Sequence, residues 1–370
     1  MHSPIFVSTL WAGVASALTL SPRSVCSTVS FTVSVTAQNG VYSGVPDPSN
    51  AEEIVSYVAA IFTGGYTSPV GSQTVSDSFT INGLYCKPLL AKSNKLQLLV
   101  HGLTYNKDYW VGLGFGNLYN WHTFANLHGY ATLAVDRVGH GSNPQRPDPF
   151  NVVQGPVHIE TLHQIIDQIR SSTTNPLGRT FDRIGYVGHS YGSFLGVGLA
   201  GQHPDDIDAL ILTGYSSTLN FTAAASFNFV PASALLPERF TEPLGYLTVG
   251  RESDRERAFY ADAYDHSLPP ADYDSQDTAS DGEVAGMPTL FQPAVGFKKP
   301  VLVVTGVNDV LLCGQPLATC QSILEASSQL FPDAVHFEST AVPFTGHDLN
   351  LHYSAPATFE RVNFFLDHYL

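Results

Sequence analysis

Short apolar runs alternate with amphipathic segments along most of the chain. The run at 96–100 is apolar except for Gln97, which is typical of a strand covered on both faces. The segment 155–171 instead repeats apolar residues at helical spacing. The pattern predicts strands at 96–100, 130–136, 183–187, 209–213, 301–305 and 335–339, and helices at 121–128, 155–171 and 357–369. Strands that alternate with helices predict an α/β fold with a mainly parallel, doubly wound sheet.

Two regions depart from this alternation. Residues 18–95 are expected to form an irregular N-terminal extension, with a helix after the capping-box spacing of Ser49 and Glu52 and β-structure at 75–86. Residues 215–298 are rich in aromatic side chains and end in an acidic, loop-like stretch at 272–283. This second region is expected to be a cap over the strand ends, where ligands bind in such sheets. The alternative is an insertion packed beside the sheet. The core then comprises 96–214 and 299–370.

The N-terminal 17 residues have the character of a secretory signal peptide. An apolar core at 5–14 precedes Ala15-Ser16-Ala17, a small-x-small cleavage pattern, although the first residues contain no Lys or Arg. The apolar run is shorter than the roughly 20 residues that a membrane span needs, so no integral span is expected. The alternative is a buried N-terminal strand or helix. The signal predicts a secreted protein or one of a secretory compartment.

The cysteines and one sequon are compatible with secretion. Cys26, Cys86, Cys313 and Cys320 allow three pairings, and the short separation of the last two favours Cys313–Cys320 with Cys26–Cys86. No C-x-x-C motif occurs, which argues against metal or redox use of these thiols. Asn220-Phe221-Thr222 is a glycosylation sequon in the aromatic insertion, so Asn220 is a predicted glycosylation site.

Length and charge narrow the class of protein further. A chain of 370 residues can bury a large core, and single α/β domains often reach this size. The chain has 17 Lys and Arg against 32 Asp and Glu, for a net charge of −15. Nucleic acids and anionic membranes both attract basic patches, so this balance argues against either as a partner.

Gly188-His189-Ser190-Tyr191-Gly192 is the motif with the clearest chemistry. It follows the predicted strand 183–187 and precedes a segment of small residues. A G-x-S-x-G sequence between strand and helix forms a sharp turn that exposes the serine hydroxyl. The alternative is an inert serine in a tight turn, but the strand before it and the helix after it favour Ser190 as a nucleophile.

From about residue 96 onward the chain resembles the α/β-hydrolase fold family. The resemblance rests on the serine motif and on three others: His101-Gly102-Leu103 after the first parallel strand, Gly306-Val307-Asn308-Asp309 after the strand 301–305, and Gly346-His347 after the last strand. It implies the family order of nucleophile, acid and base, which makes Asp309 the acid and His347 the base. It also implies that the backbone N–H groups of Leu103 and Tyr191 bind the oxyanion. Some members carry the acid after an earlier strand, so the place of the acid stays open here.

The resemblance implies a serine hydrolase that cleaves a carboxylic ester or lactone through an acyl-enzyme. No cofactor and no metal are expected, and the aromatic insertion and acidic surface suggest a small or medium-sized, largely apolar substrate that is neutral or cationic. One alternative is a tailoring enzyme of polyketide or alkaloid metabolism that hydrolyses, cyclises or transfers an acyl group, as in some fungal secreted members. Another is a non-catalytic binding protein on a hydrolase scaffold.

Overall fold

A computed structural model describes residues 24–64, 68–89, 94–313 and 316–370. The predicted signal peptide at 1–17 lies outside the described residues. The strands are β1 (Ser24–Val41), β2 (Gly71–Pro88), β3 (Lys95–Val100), β4 (Ala131–Val135), β5 (Arg183–His189), β6 (Ala209–Thr213), β7 (Phe229–Pro231), β8 (Tyr246–Val249), β9 (Ala279–Ser280), β10 (Val301–Gly306) and β11 (Phe337–Val342). The α-helices are α1 (Ala51–Gly64), α2 (Trp121–Leu127), α3 (Gly155–Ser171), α4 (Tyr191–Gln202), α5 (Phe221–Ala225), α6 (Ala232–Leu235), α7 (Glu252–Phe259), α8 (Leu268–Ser275), α9 (Asp281–Gly286), α10 (Leu317–Ala326) and α11 (Ala355–Tyr369).

An eight-stranded sheet forms the centre of the molecule. Its strand order is β1-β2-β4-β3-β5-β6-β10-β11, and the strands from β4 to β11 in this order run parallel. Neighbouring residues of β5 show that helices cover both faces, because successive side chains point to opposite sides of a strand. A Cβ on Gly185 would lie 3.1 Å from Leu366 of α11, whereas Tyr186 packs against Gly196 of α4. The predicted doubly wound α/β sheet is therefore confirmed.

The N-terminal extension is more regular than the sequence suggested. The expectation of irregular structure is wrong for 24–41, which forms β1 and pairs antiparallel with β2 along its full length of 18 residues. Val33 and Val35 of β1 are buried, while the intervening Ser34 is exposed. Residues 83–86 of β2 then pair antiparallel with β4, so the hairpin extends the central sheet.

Two disulfides join the cysteine pairs that the sequence favoured. Cys26–Cys86 links β1 to β2, and Cys313–Cys320 closes a loop after β10. The first bond therefore fastens the N-terminal hairpin. The second holds the chain that follows Asp309.

The insertion between β6 and β10 contains a small three-stranded sheet, β7-β8-β9, and helices α5 to α9. Its acidic end is not the loop that the sequence suggested, because 272–283 includes the end of α8, β9 and part of α9. Asp272, Asp277, Asp281 and Glu283 are all buried. Within the described part of the chain, no helix combines the length and apolar character that crossing a bilayer requires.

Candidate active site

Ser190 occupies the sharp turn between β5 and α4. Its backbone has φ 53° and ψ −118°, a left-handed conformation that a residue with a side chain rarely adopts. The turn is possible because both flanking positions are glycine. A Cβ on Gly188 would lie 2.5 Å from the carbonyl oxygen of Gly192, and one on Gly192 would lie 2.1 Å from the carbonyl oxygen of Val100. The sequence therefore places Ser190 at the carboxyl end of the sheet.

Asp309 and His347 come together from the loops that follow β10 and β11. The Nδ1 atom of His347 lies 2.7 Å from Oδ2 of Asp309, and both side chains are buried. The other carboxylate oxygen of Asp309 accepts hydrogen bonds from the backbone N–H groups of Leu311 and Leu312 at 3.0 and 3.1 Å. These bonds fix the carboxylate, which in turn orients the imidazole ring.

The two loops approach each other closely. The backbone N–H of Asn308 donates to the carbonyl oxygen of Thr345 at 2.9 Å. A Cβ on Gly306 would lie 2.2 Å from the same carbonyl oxygen, so glycine is required there. The residues between β6 and α5 include no Asp or Glu. The loop that directly follows β6, the neighbour of β10 in the sheet, therefore offers no competing acid.

The electrostatic surroundings of His347 favour its protonated form. Burial lowers the pKa of His347, but the charge of Asp309 and the hydrogen bond to it outweigh that effect, so the pKa lies above its ordinary value. The imidazole is therefore suited to accept a proton from a neighbouring hydroxyl group.

Leu103 and Tyr191, the two predicted oxyanion donors, line the same pocket as the serine. Gly102 passes so close that a Cβ there would be 2.8 Å from Cβ of Ser190. Leu103 follows Gly102, and Tyr191 is the first residue of α4. Among the described residues, no acceptor bonds to the backbone N–H of either Leu103 or Tyr191. Both groups are therefore available to an oxygen atom beside Ser190.

Ser190 and His347 line one pocket together with Leu103 and Tyr191. Its walls are mostly apolar and come from the core, from the insertion and from α1 of the N-terminal extension. The lining residues are Phe62, Leu103, Thr104, Tyr105, Ser190, Tyr191, Phe194, Leu219, Ala224, Phe227, Phe229, Phe259, Met287, Leu311, Leu312 and His347. The insertion therefore forms part of the pocket wall.

A buried ion-pair network lies behind the loop that carries Leu103. Arg137 bonds to Oε1 of Glu283 and donates to the carbonyl oxygen of Gly102 at 3.1 Å. Nε2 of His158 lies 2.8 Å from Oε1 of Glu283, and Nε2 of His140 lies 3.1 Å from Oε2. His140, His158 and Glu283 are close enough to hold a metal ion, but Arg137 already pairs with this carboxylate. The arrangement therefore fits a closed ion pair that braces the loop.

A second histidine group lies at the far end of α4, about 18 Å along the helix from Tyr191. Nδ1 of His163 lies 2.8 Å from Asp206, and Nε2 of His203 lies 2.9 Å from Glu160. The two rings stack face to face at 3.8 Å, so their nitrogen lone pairs do not converge on one point. The stacked arrangement does not suit a shared metal ion.

Several residues near the site have roles that the sequence alone did not reveal. Phe62 lies 128 residues before Ser190 and carried no motif. His189 is buried and stacks on Tyr109 at 4.5 Å, so it packs and does not line the pocket. Asp348, which follows His347 directly, is fully buried. The only sequence signal that marks Asp348 as part of the site is its position next to His347.

A sequence model of the alpha/beta hydrolase family matches residues 97–362. The chain belongs to the alpha/beta hydrolase family. The predicted membership is therefore confirmed. No curated protein matches this hydrolase significantly.

Solved structures with the same fold belong to enzymes that are named for different reactions. The hydrolase is similar to a soluble variant of monoglyceride lipase from Saccharomyces cerevisiae, with 16% identity, a TM-score of 0.55, and coverage of 79% of this chain and 92% of the lipase. It is also similar to an epoxide hydrolase from Vigna radiata, with 12% identity, a TM-score of 0.53 and coverage of 78% and 95%. A bromoperoxidase from Bacillus anthracis has 15% identity, a TM-score of 0.52 and coverage of 79% and 96%. At these identities the likeness establishes the fold alone, so the chemistry must be argued from the site.

Proposed function

We propose that this alpha/beta hydrolase cleaves a carboxylic ester or lactone through an acyl-enzyme, with Ser190, His347 and Asp309 as its triad. The main support is His347, which is bonded to Asp309 and lines the same pocket as a serine held at φ 53°. A serine is a weak nucleophile until a base takes its proton, and the base needs an acid to hold its tautomer. Epoxide hydrolysis in this fold uses an aspartate nucleophile, so Ser190 argues against that reaction.

The proposed reaction begins when Ser190 attacks the substrate carbonyl carbon and His347 takes the hydroxyl proton. The carbonyl oxygen becomes an oxyanion, which accepts hydrogen bonds from the N–H groups of Leu103 and Tyr191. Each such bond typically lowers the barrier by about 3 kcal/mol. His347 then protonates the leaving alcohol, which leaves an acyl group on Ser190. Water activated by His347 releases the acid and restores the serine.

The pocket supports an apolar substrate. Apart from the proposed base His347, no residue of the described pocket wall is Lys, Arg, His, Asp or Glu. A charged acyl group would lose its hydration there without gaining a partner, which is costly. The lining therefore favours neutral, apolar acyl groups over carboxylate-bearing ones.

A panel of matched esters tests this function. We expect hydrolysis of neutral p-nitrophenyl esters, and a kcat/KM on the order of 100-fold lower for an acyl chain of equal length that ends in a carboxylate. Initial rates for chains of graded length measure both effects. Equal rates for the neutral and charged esters would contradict the apolar site, and no turnover of any ester or lactone would contradict the proposed reaction.

The pH dependence should report the state of His347. Only the neutral imidazole can accept the proton of Ser190, so kcat/KM should fall as His347 becomes protonated. Because its pKa is raised, the midpoint of this acid limb should lie above the ordinary value of 6.5. Initial rates across the pH range at low substrate concentration measure the midpoint. A midpoint below 6.5 would contradict the coupling of His347 to Asp309.

Two disulfides support the proposal of an oxidising, secretory compartment, since such bonds persist there and are rare in the cytosol. Asn220 is exposed at the start of α5, where a glycan could be attached. Secretion and glycosylation at Asn220 stay predictions.

A further inference from the structure

A buried chain of polar side chains outside the proposed triad connects the insertion to the loop of His347. It begins with Arg255 of α7 and Asp272 of α8. Nε of Arg255 donates to Oδ2 of Asp272 at 2.9 Å, and Nη2 donates to Oδ1 at 2.9 Å. Both side chains are fully buried. A guanidinium that forks onto a carboxyl group in this way pairs with its ionised form, so Asp272 carries a negative charge.

The next member of the chain is Tyr105, whose hydroxyl group lies between two carboxyl groups. It is 2.9 Å from Oδ2 of Asp272 and also bonds to Oδ2 of Asp348. A tyrosine hydroxyl has one proton to donate. Ionised Asp272 can only accept, so Tyr105 donates to it. The contact between Tyr105 and Asp348 then needs a second proton, which only the carboxyl group of Asp348 can supply.

The surroundings of the other carboxyl oxygen of Asp348 also favour the protonated form. Oδ1 is buried and has no aligned hydrogen-bond donor, although Nε2 of His189 lies 3.3 Å away. An ionised carboxylate would leave this oxygen without compensation in a site away from water, which is costly. Burial and then the charge of Asp272 raise the pKa of Asp348 to about 8.

We propose that Asp348 keeps its proton in the folded protein and, as a hydrogen-bond donor to Tyr105, is a positioning residue that fixes the insertion to the loop of His347. Donation runs in one direction, from Asp348 to Tyr105 and from Tyr105 to Asp272. The backbone supports the same junction, because the N–H of Asp348 donates to the carbonyl oxygen of Phe259 at 3.0 Å. The catalytic consequence rests on the proposed function, since His347 is the residue that Asp348 adjoins.

Loss of this proton should disrupt the hydrogen bonds that link Asp348, Tyr105 and Asp272. An ionised Asp348 would compete with Asp272 for the single proton of Tyr105 and would place two buried negative charges close together. The insertion and the loop of His347 would then lose the side-chain connection that runs through Tyr105. The titratable and charged groups that act on Asp348 are Tyr105, Tyr109, His189, Arg255, Tyr260, Asp272, His347 and His352.

The first test measures the protonation of Asp348 from protein stability and needs no activity assay. Unfolded Asp348 should release its proton near pH 3.8, whereas the folded protein holds it to about pH 8. The stabilisation from this group is therefore fully present below the lower value and is lost as pH rises to the upper one. We expect the free energy of unfolding of Asp348→Asn to decline less steeply with pH in this window, by a slope equivalent to about one proton. Equal slopes for the variant and the wild type would overturn the proposal.

The second test separates positioning from a general structural role. Asparagine can still donate to Tyr105 but cannot ionise, whereas alanine cannot donate. We expect Asp348→Ala to lower kcat about tenfold or more near neutral pH, and Asp348→Asn to stay within about threefold of the wild type. In the wild type, kcat should decline above about pH 8 as Asp348 ionises. Asp348→Asn should lack this part of the decline because asparagine cannot ionise. Asp348→Asn as impaired as Asp348→Ala, or with an unchanged alkaline decline, would overturn the proposal.

The two proposals fail in different ways. If a fluorophosphonate probe does not label the folded wild type, the proposed hydrolase function fails, while the unfolding slopes still test the proton on Asp348. If the wild type is labelled and the slopes are equal, only the role of Asp348 is overturned.

Discussion

Replacement of Ser190 by alanine should abolish covalent labelling by a fluorophosphonate probe and lower kcat for a neutral ester by on the order of 10⁵- to 10⁶-fold. The reason is that the proposed acyl-enzyme forms on the Ser190 oxygen, and no other group of the triad can take its place. Gel-based labelling and initial ester hydrolysis rates measure the two effects. Residual turnover should remain above the uncatalysed rate because the pocket and the oxyanion donors are intact.

Ser193→Ala is the matched control for this experiment. Ser193 lies three residues further along, is buried, and donates through its hydroxyl to the carbonyl oxygen of Thr213 at 2.9 Å. Its loss removes a hydroxyl from α4, the helix that follows Ser190, at a position outside the pocket wall, so labelling should persist. A folded wild type that resists labelling would favour a binding protein on a hydrolase scaffold. Unchanged labelling of Ser190→Ala would place the nucleophile elsewhere.

Asp309→Asn should lower kcat by about 10⁴-fold while the protein stays folded. The amide can accept the backbone N–H bonds of Leu311 and Leu312, but it carries no charge to stabilise protonated His347. It can also present N–H to Nδ1, which would leave His347 with the wrong tautomer to act as base. Ester hydrolysis rates together with circular dichroism measure the loss of activity and the retention of fold.

Asp333→Asn controls for the loss of one negative charge. Asp333 is exposed and accepts a hydrogen bond from the backbone of Gly296, outside the described pocket wall. Its replacement should leave kcat unchanged. Asp309→Asn with near wild-type kcat would show that another residue supplies the acid.

The parallel strands from β3 to β10 were predictable because each is a short, largely apolar run. The helix 155–171 and the strand 209–213 have the predicted bounds, and the strand after Phe331 begins two residues later than predicted. The expected cap at Ser49 is instead Asn50, whose side chain accepts from the backbone of Glu52 and Glu53. Either residue type can cap a helix, so the sequence did not decide between neighbours.

The strand β1 was missed although its signal was present. Val-Ser-Phe-Thr-Val-Ser-Val-Thr-Ala at 29–37 alternates strictly between apolar and polar residues, which is the period of a strand with one buried face. The buried acids of the insertion had no such signal. Arg137 pairs with Glu283 across 146 positions of the chain, and a contact of that range depends on the tertiary fold. The sequence therefore identified the family motifs but not the buried charge network around them.

The N-terminal hairpin and Phe62 of α1 have a practical consequence for recombinant production. A fragment trimmed to the family match at 97–362 would remove β1, β2 and α1. It would expose the edge of β4, which favours aggregation. It would also leave an opening in the pocket wall where Phe62 lies. Cultures for biochemical work should therefore express the chain from at least Ser24, in a host whose folding compartment oxidises Cys26 and Cys86.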